Sequence, residues 1–168
     1  WLRQHPQQHI SINLESTVLA SEKIPQLLGE MINHYKVNPR QIALELTERE
    51  FADPKISAPI ISRYRQAGHE IYLDDFGTGF SSLSYLTYIP VNYLKLDKTM
   101  VDHYLVPGKE TFVEDLINMA HHLDKEVIVE GVEEKSQLEQ LKKFGADYIQ
   151  GYYFSKPIEA EDACRFQI

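Results

Sequence analysis

The chain has 168 residues, of which 43% are hydrophobic and 25% charged, an ordinary globular composition that excludes a disordered or fibrous protein. Its 25 acidic against 17 basic side chains leave a net charge of −8, which disfavours non-specific binding to DNA or any other nucleic acid. No apolar run approaches the ~18 residues of a membrane span, the N-terminus has no secretion-signal core, and the single cysteine, Cys164, excludes an internal disulfide and points to a reducing compartment.

Short apolar stretches alternate with helical patterns along the chain. Residues 9–13 read as a strand. Ile24, Leu27, Leu28, Met31, Ile32 and Tyr35 follow helical spacing over 22–35. Asn38-Pro39 breaks that helix, and 42–46 is the next strand. A helix over 56–67 ends at Gly68, which suits a C-terminal cap, and residues 70–74 form another strand. A short helix is expected over 81–86, and Pro90 precedes a strand at 93–96. Phe112, Val113, Leu116, Ile117, Ala120 and Leu123 make one amphipathic face. A strand at 126–129, a helix carrying Leu138 and Leu141, a strand at 148–149 and a last helix over 159–166 complete the pattern. No linker, low-complexity tract or second domain is visible.

Such alternation implies parallel strands joined by right-handed crossovers. About six βα units fit, against eight in a (β/α)8 barrel, and a doubly wound open sheet can also use six. The polar residues at the strand ends separate the two. Asn13, Glu45, Asp74 with Asp75, Lys95, Glu130 and Gln150 follow one another at 32, 29, 21, 35 and 20 residues, about one βα unit each. The carboxyl ends of parallel strands lie on one face. An open sheet spreads such residues along a line, whereas a barrel gathers them into a ring, so the constellation favours a barrel.

Asn, Glu and Asp oxygens without cysteine suit hard cations such as Mg²⁺ or Mn²⁺. Asp74 and Asp75 leave a strand on opposite sides, so that one can bridge two ions while the other turns to the second. Lys95 can offset phosphate charge or hold an attacking water, and Glu130 can accept that water's proton. Blander readings stand beside these. An acidic pair at a strand end is ordinarily a solvated turn, Lys95 can pair structurally with Asp97 or Asp74, and Glu130 can cap the following helix. Gly77 and Gly79 more often serve turns needing positive φ than a phosphate cradle. Adjacent His121 and His122 project about 100° apart on a helix and cannot chelate one ion together. Tyr152, Tyr153 and Phe154 can stack on a base or pack beneath the rim.

Asp74-Asp-Phe-Gly-Thr-Gly-Phe-Ser-Ser-Leu83 resembles the signature loop of EAL domains, the bacterial cyclic di-GMP phosphodiesterases. The likeness extends through Ile12-Asn13, Glu45-Leu-Thr-Glu48, Leu94-Lys-Leu-Asp97, Glu130-Gly-Val-Glu133 and Gln150-Gly-Tyr152, in family order and spacing. The resemblance implies a modified (β/α)8 TIM barrel with an antiparallel first strand. It also implies hydrolysis of cyclic di-GMP to linear pGpG with Mg²⁺ or Mn²⁺, inhibition by Ca²⁺, and a role in bacterial signalling over biofilm and motility. It carries metal ligation onto Asn13, Glu45 and Asp74, with Asp75 serving the second ion. Lys95 takes the place of the lysine near the nucleophilic water and Glu130 that of the general base. Glu48 matches the glutamate that anchors the loop after Asp75, and Glu133 and Gln150 match positions near the second metal and the substrate. A homodimer through the loop and helix after Asp75 is the family expectation. So is a cytoplasmic domain whose parent protein can carry sensory or membrane-anchoring domains upstream.

The chain departs from the family pattern at its front. The glutamate of the Glu-Ala-Leu motif is a metal ligand in the family, and no Glu-Ala-Leu occurs in these 168 residues, with only twelve residues before Asn13. Residues 1–168 are therefore expected to be a single partial EAL domain, weakly active or inactive alone. The alternative is a catalytically silent module that acts by binding cyclic di-GMP or another protein.

Overall fold

The computed structural model describes residues 1–21, 23–48, 53–77, 83–163 and Arg165. The chain divides into two compact units, Trp1–Tyr93 and Leu94–Ile168. The first contains β1 (Ile10–Asn13), α1 (Ser16–Leu19), α2 (Lys23–Tyr35), β2 (Ile42–Thr47), α3 (Pro54–Gln66) and β3 (Ile71–Phe76), with 3₁₀ turns at Pro39–Gln41 and Leu83–Thr87. Strand β4 (Tyr93–Leu96) straddles the boundary. The second unit continues with α4 (Lys98–Tyr104), α5 (Thr111–His122), β5 (Glu126–Val129), α6 (Lys135–Phe144), β6 (Tyr148–Ile149) and α7 (Ala160–Ala163). Among the described residues no helix is long and apolar enough to cross a membrane.

In the first unit β1, β2 and β3 pair in parallel in chain order, Asn13 beside Glu45 and Thr47 beside Asp74. Register partners in a parallel sheet share a face and successive residues alternate. One face therefore carries Ile10, Ile12, Ile42, Leu44, Leu46, Ile71 and Leu73, and the other Ser11, Asn13, Ala43, Glu45, Thr47, Tyr72 and Asp74. The apolar face is the core side: Leu44, Leu46, Ile71 and Leu73 are all buried, as are Ile61 and Tyr64 of α3, which packs against β3. Each such side chain contributes about 1.5–3 kcal/mol of burial free energy. The lead-in to β1 is held by one side chain. Buried Gln41 donates through Nε2 to the carbonyls of Leu2, His5 and Gln8 at 3.2, 3.0 and 2.9 Å.

In the second unit β5 and β6 pair in parallel, and α5 lies on β5 between α4 and α6. Its buried stripe is Val113, Ile117 and Ala120, the spacing one face of a helix requires. Helix α6 stops at Gly145, whose φ of 84° forms a left-handed cap.

Element types agree with the expectations, while boundaries move. Two short helices, α1 and α4, carry too few apolar repeats to show in the periodicity. Strand β3 runs two residues past Asp74, through Asp75 and Phe76. The short helix expected over 81–86 is a 3₁₀ turn at Leu83–Thr87, with 81 and 82 outside the described residues. The last helix is described only as Ala160–Ala163, with Arg165 in a turn; Cys164 and Phe166 lie outside, as does Gly79, whereas Gly77 has the positive φ expected of a turn.

Candidate active site

Three of the candidate metal ligands share the polar face of the first unit's sheet. Asn13 and Glu45 are register partners on β1 and β2, which sets their backbones about 4.8 Å apart. Asp74 pairs with Thr47, one pleat further along the same face. Burial is graded across the row: Asn13 is exposed, Asp74 half-buried and Glu45 only 8% exposed. Glu45 and Asp74 lie on strands whose alternate side chains, Leu44, Leu46, Ile71 and Leu73, fill the core, whereas Ile10 and Ile12 beside Asn13 are exposed. That alternation is the physical reason the polar residues face away from it.

Asp75 departs from this order. Its φ is 54°, in the left-handed region that an aspartate tolerates better than most residues. The strand alternation that would send it opposite Asp74 is broken there, and its side chain is exposed. Two residues on, Gly77 takes φ 91° and donates its N–H to Glu48 Oε1 at 3.0 Å. The other oxygen of Glu48 is buried with no hydrogen-bond partner among the described residues. Tyr85 is buried beside this carboxylate. Burial, and after it the Glu48 charge, push its phenol well above the ordinary tyrosine range.

The second unit contains a different chemistry. Lys95, 6% exposed on β4, pairs with Glu130 at 2.9 Å. Glu130 follows the end of β5, and its N–H is fixed to Leu96 O at 2.9 Å. The helix-capping reading of Glu130 is superseded, since the N-cap position of α6 is Glu134, whose N–H donates to Gln137 Oε1. Glu133 pairs with Lys98 at 2.7 Å, and Asp102 approaches the same ammonium at 3.7 Å. The hydrogen bond from Lys98 to Glu133, with the charges of Asp102 and Glu133 added, holds the Lys98 ammonium above the usual lysine range. Gln150, just after β6, accepts at its backbone oxygen from Val132 N–H at 3.2 Å, and Val132 O accepts from Tyr153. A Cβ at Gly151 would collide with the Val132 backbone, so only glycine permits that approach.

Asp97, named above as a structural partner for Lys95, caps α4 instead, accepting from Thr99 N–H at 2.9 Å. His121 pairs with Asp147 at 2.8 Å at the surface, and Tyr152 is 58% exposed with Lys156 over its ring. Lys98, Gln137, Tyr85 and Gly151 were not singled out by sequence. The one available signal was spacing: Lys95 and Lys98 are three residues apart, as are Glu130 and Glu133.

Among the described residues no three His, Cys, Asp or Glu side chains come together as a metal cage; Asp75 does not complete one with Glu45 and Asp74. The donors on the shared face are one amide and two carboxylates, all oxygen. That set fits a hard cation that retains waters and takes further oxygens from a phosphate, the usual binding mode of Mg²⁺. It does not fit zinc, which prefers nitrogen and sulfur.

Comparison with known proteins places this arrangement. The model of the EAL domain family matches residues 1–157. The chain is 63% identical over 166 residues to "Probable cyclic di-GMP phosphodiesterase PdeB" of Escherichia coli strain K12, covering 99% of this chain and 32% of that protein. Among solved structures, the "PaMucR Phosphodiesterase, c-di-GMP complex" superposes with a TM-score of 0.88 at 28% identity, over 97% of this chain and 67% of that one. The cAMP- and cyclic-di-GMP-bound form of the EAL enzyme Bd1971 gives 0.89 at 33% identity, over 98% of this chain and 46% of that one. The chain thus spans about a third of the length of its curated relative PdeB. EAL phosphodiesterases as a class depend on divalent metal ions and have a TIM-barrel-like fold. By sequence and by fold, this chain belongs to the EAL domain family.

Proposed function

We propose that this chain supplies most of the catalytic residues of a phosphodiesterase that hydrolyses cyclic di-GMP to linear pGpG with Mg²⁺ or Mn²⁺, Ca²⁺ being inhibitory. The observation that supports it most is the strand register, which aligns Asn13, Glu45 and Asp74 on one face at positions matching the family's ligands. Those three oxygens would hold one divalent ion, with Asp75 serving the second. A divalent ion supplies charge neutralisation at the phosphodiester and lowers the pKa of water.

The side chains divide the remaining work. Glu130 presents a carboxylate that takes the water's proton, and the Lys95 ammonium at 2.9 Å keeps that carboxylate oriented. Lys95 also brings a positive charge toward the phosphodiester, whose own negative charge the acidic chain would otherwise repel. Glu48 fixes Gly77 and with it the start of the loop after Asp75. Glu133 and Gln150 would lie near the second metal and the substrate. In this reading the domain is cytoplasmic and pairs with a second copy through the loop and helix after Asp75.

Turnover is tested by incubating the chain, and a longer chain carrying a Glu-Ala-Leu strand, with cyclic di-GMP and Mg²⁺ and separating products chromatographically. Conversion to pGpG that is abolished by Lys95→Ala is expected of the longer chain. No conversion by it would refute the enzyme. A second reading is a catalytically silent module that binds cyclic di-GMP or another protein. Calorimetry separates the two: cyclic di-GMP binding in Ca²⁺ without turnover in Mg²⁺ marks the module.

A further inference from the structure

Two lysines three residues apart, Lys95 and Lys98, hold two glutamates three residues apart, Glu130 and Glu133, at 2.9 and 2.7 Å. The outer pair is built differently from the inner one. Lys98 opens α4, where the Asp97 cap on Thr99 N–H fixes its backbone. Its stem lies over Gly131: a Cβ on that glycine would collide with the Cβ and Cγ of Lys98. Gly131 also takes φ 72°, a conformation only glycine enters without strain. From above Gly131 the ammonium reaches Glu133, while Asp102, one turn along α4, keeps it in place at 3.7 Å. On the far side of the loop Gln137 Oε1 accepts from both Glu133 and Glu134 N–H, at 2.9 and 3.0 Å.

Glu130 sits at the inner edge of this assembly. Its N–H is bonded to Leu96 O, and its C-terminal neighbour is the glycine beneath the Lys98 stem. The peptide that aims the Glu130 side chain is therefore held on one side by β4 and on the other by Lys98. We infer that Lys98 is a positioning residue: its contact with Gly131 and its ion pair with Glu133 set the loop from which Glu130 meets Lys95. This rests on the reading of Glu130 as the proton acceptor. Loss of an orienting partner of this kind typically costs 10–100-fold in activity.

The test compares wild type with Lys98→Met, which keeps the stem and removes the charge, and Lys98→Arg, which restores it. Two readouts are taken on the full chain: hydrogen exchange at the amides of residues 130–134, and kcat and KM for cyclic di-GMP with Mg²⁺ in the Glu-Ala-Leu-containing form. The inference expects Lys98→Met to speed exchange at Val132 and Glu133 roughly tenfold and to lower kcat by about tenfold, with KM within twofold. Lys98→Arg should recover both. Unchanged exchange in Lys98→Met overturns the inference, as does faster exchange with unchanged kcat, or failure of arginine to rescue. If wild type does not turn over, the phosphodiesterase reading fails; the exchange comparison then decides alone whether Lys98 holds the loop.

Discussion

Replacing Gln41 with leucine tests how β1, and with it Asn13, is held to the sheet. The substitution keeps side-chain volume and removes the amide that ties residues 2–8 to the start of β2. Gln41 Nε2 serves three carbonyls at 2.9–3.2 Å with two protons, so two bonds' worth of stabilisation is shared among three acceptors. At about 0.5–1.5 kcal/mol net per bond the direct loss is about 2 kcal/mol. The Leu2 and His5 carbonyls also accept from the His5 and Gln8 N–H groups at 3.1 and 3.0 Å, so these two keep a partner and no further penalty is added. The Gln41 side chain is 4% exposed, so water does not replace the lost donor in the folded state. With a urea m-value of about 2 kcal/mol/M, a loss of about 2 kcal/mol lowers the midpoint by about 1 M. Hydrogen exchange should rise first at the β1 amides, which β2 alone then retains, while β3 stays protected. A midpoint within about 0.2 M of wild type, or protection lost uniformly across β1, β2 and β3, would refute the assignment of Gln41 as the tether.

Other substitutions probe the second unit and the bend after Asp74. Glu130→Gln strips a largely buried ammonium of a charged partner and should cost about 3 kcal/mol in urea unfolding, more than Lys95→Met, which leaves the less buried member. Gly151→Ala forces a methyl into the Val132 backbone and should cost about 3 kcal/mol or more, seen as a lower Tm in calorimetry. Asp97 is held below the ordinary carboxylate range: burial alone would raise it, but hydrogen bonds from Thr99 and Lys98 outweigh that. A depressed folded pKa means stability that is present above the unfolded pKa of about 3.9 and is lost as pH falls through the lower folded value. Asp97→Asn should therefore flatten the stability curve below about pH 4. Asp75→Gly relieves a left-handed aspartate and should be neutral to about 1 kcal/mol stabilising, while abolishing turnover by the Glu-Ala-Leu-containing form; a destabilised variant would contradict the strain argument.

The alternation of strand and helix was legible because each strand here is a short run of Ile, Leu and Val between breakers, and because α2, α5 and α6 carry full apolar stripes. The strand-end donors were legible for the same reason: a Glu at 45 between Leu44 and Leu46 must face away from the side those leucines bury. What sequence did not carry is conformation that depends on partners elsewhere in the chain. Nothing local at Asp75 announces φ 54°, because the alternation of Ile71, Leu73 and Asp75 reads as an ordinary strand. Whether Lys95 would meet Asp97, Asp74 or Glu130 depends on which strand lies beside β4, and Glu130 is 35 residues away. Gln41 gives no sign of its three acceptors, which lie 33 to 39 residues earlier.

Among the described residues, most positive-φ positions end helices or turns, as Lys36, Gly68, Asp124 and Gly145 do, but three lie at or beside candidate site residues, for a physical reason. A parallel sheet sends every second residue to the same face at fixed spacing, which suffices to align Asn13, Glu45 and Asp74 but cannot turn a side chain off that lattice. Asp75 and Gly77 leave it through positive φ just past Asp74, and Gly131 does so just past Glu130. The two glycines are each held by a contact from a distant element: Gly77 by Glu48, Gly131 by Lys98. Left-handed conformations at such positions cost of order 1 kcal/mol for a non-glycine residue and persist only where neighbours over-determine them. Glycine at 77 and 131 avoids that cost, whereas at 75 an aspartate accepts it. Lys36 and Asp124 accept the same cost just after α2 and α5, so Asp75 differs from them in that its side chain is one the proposed chemistry needs.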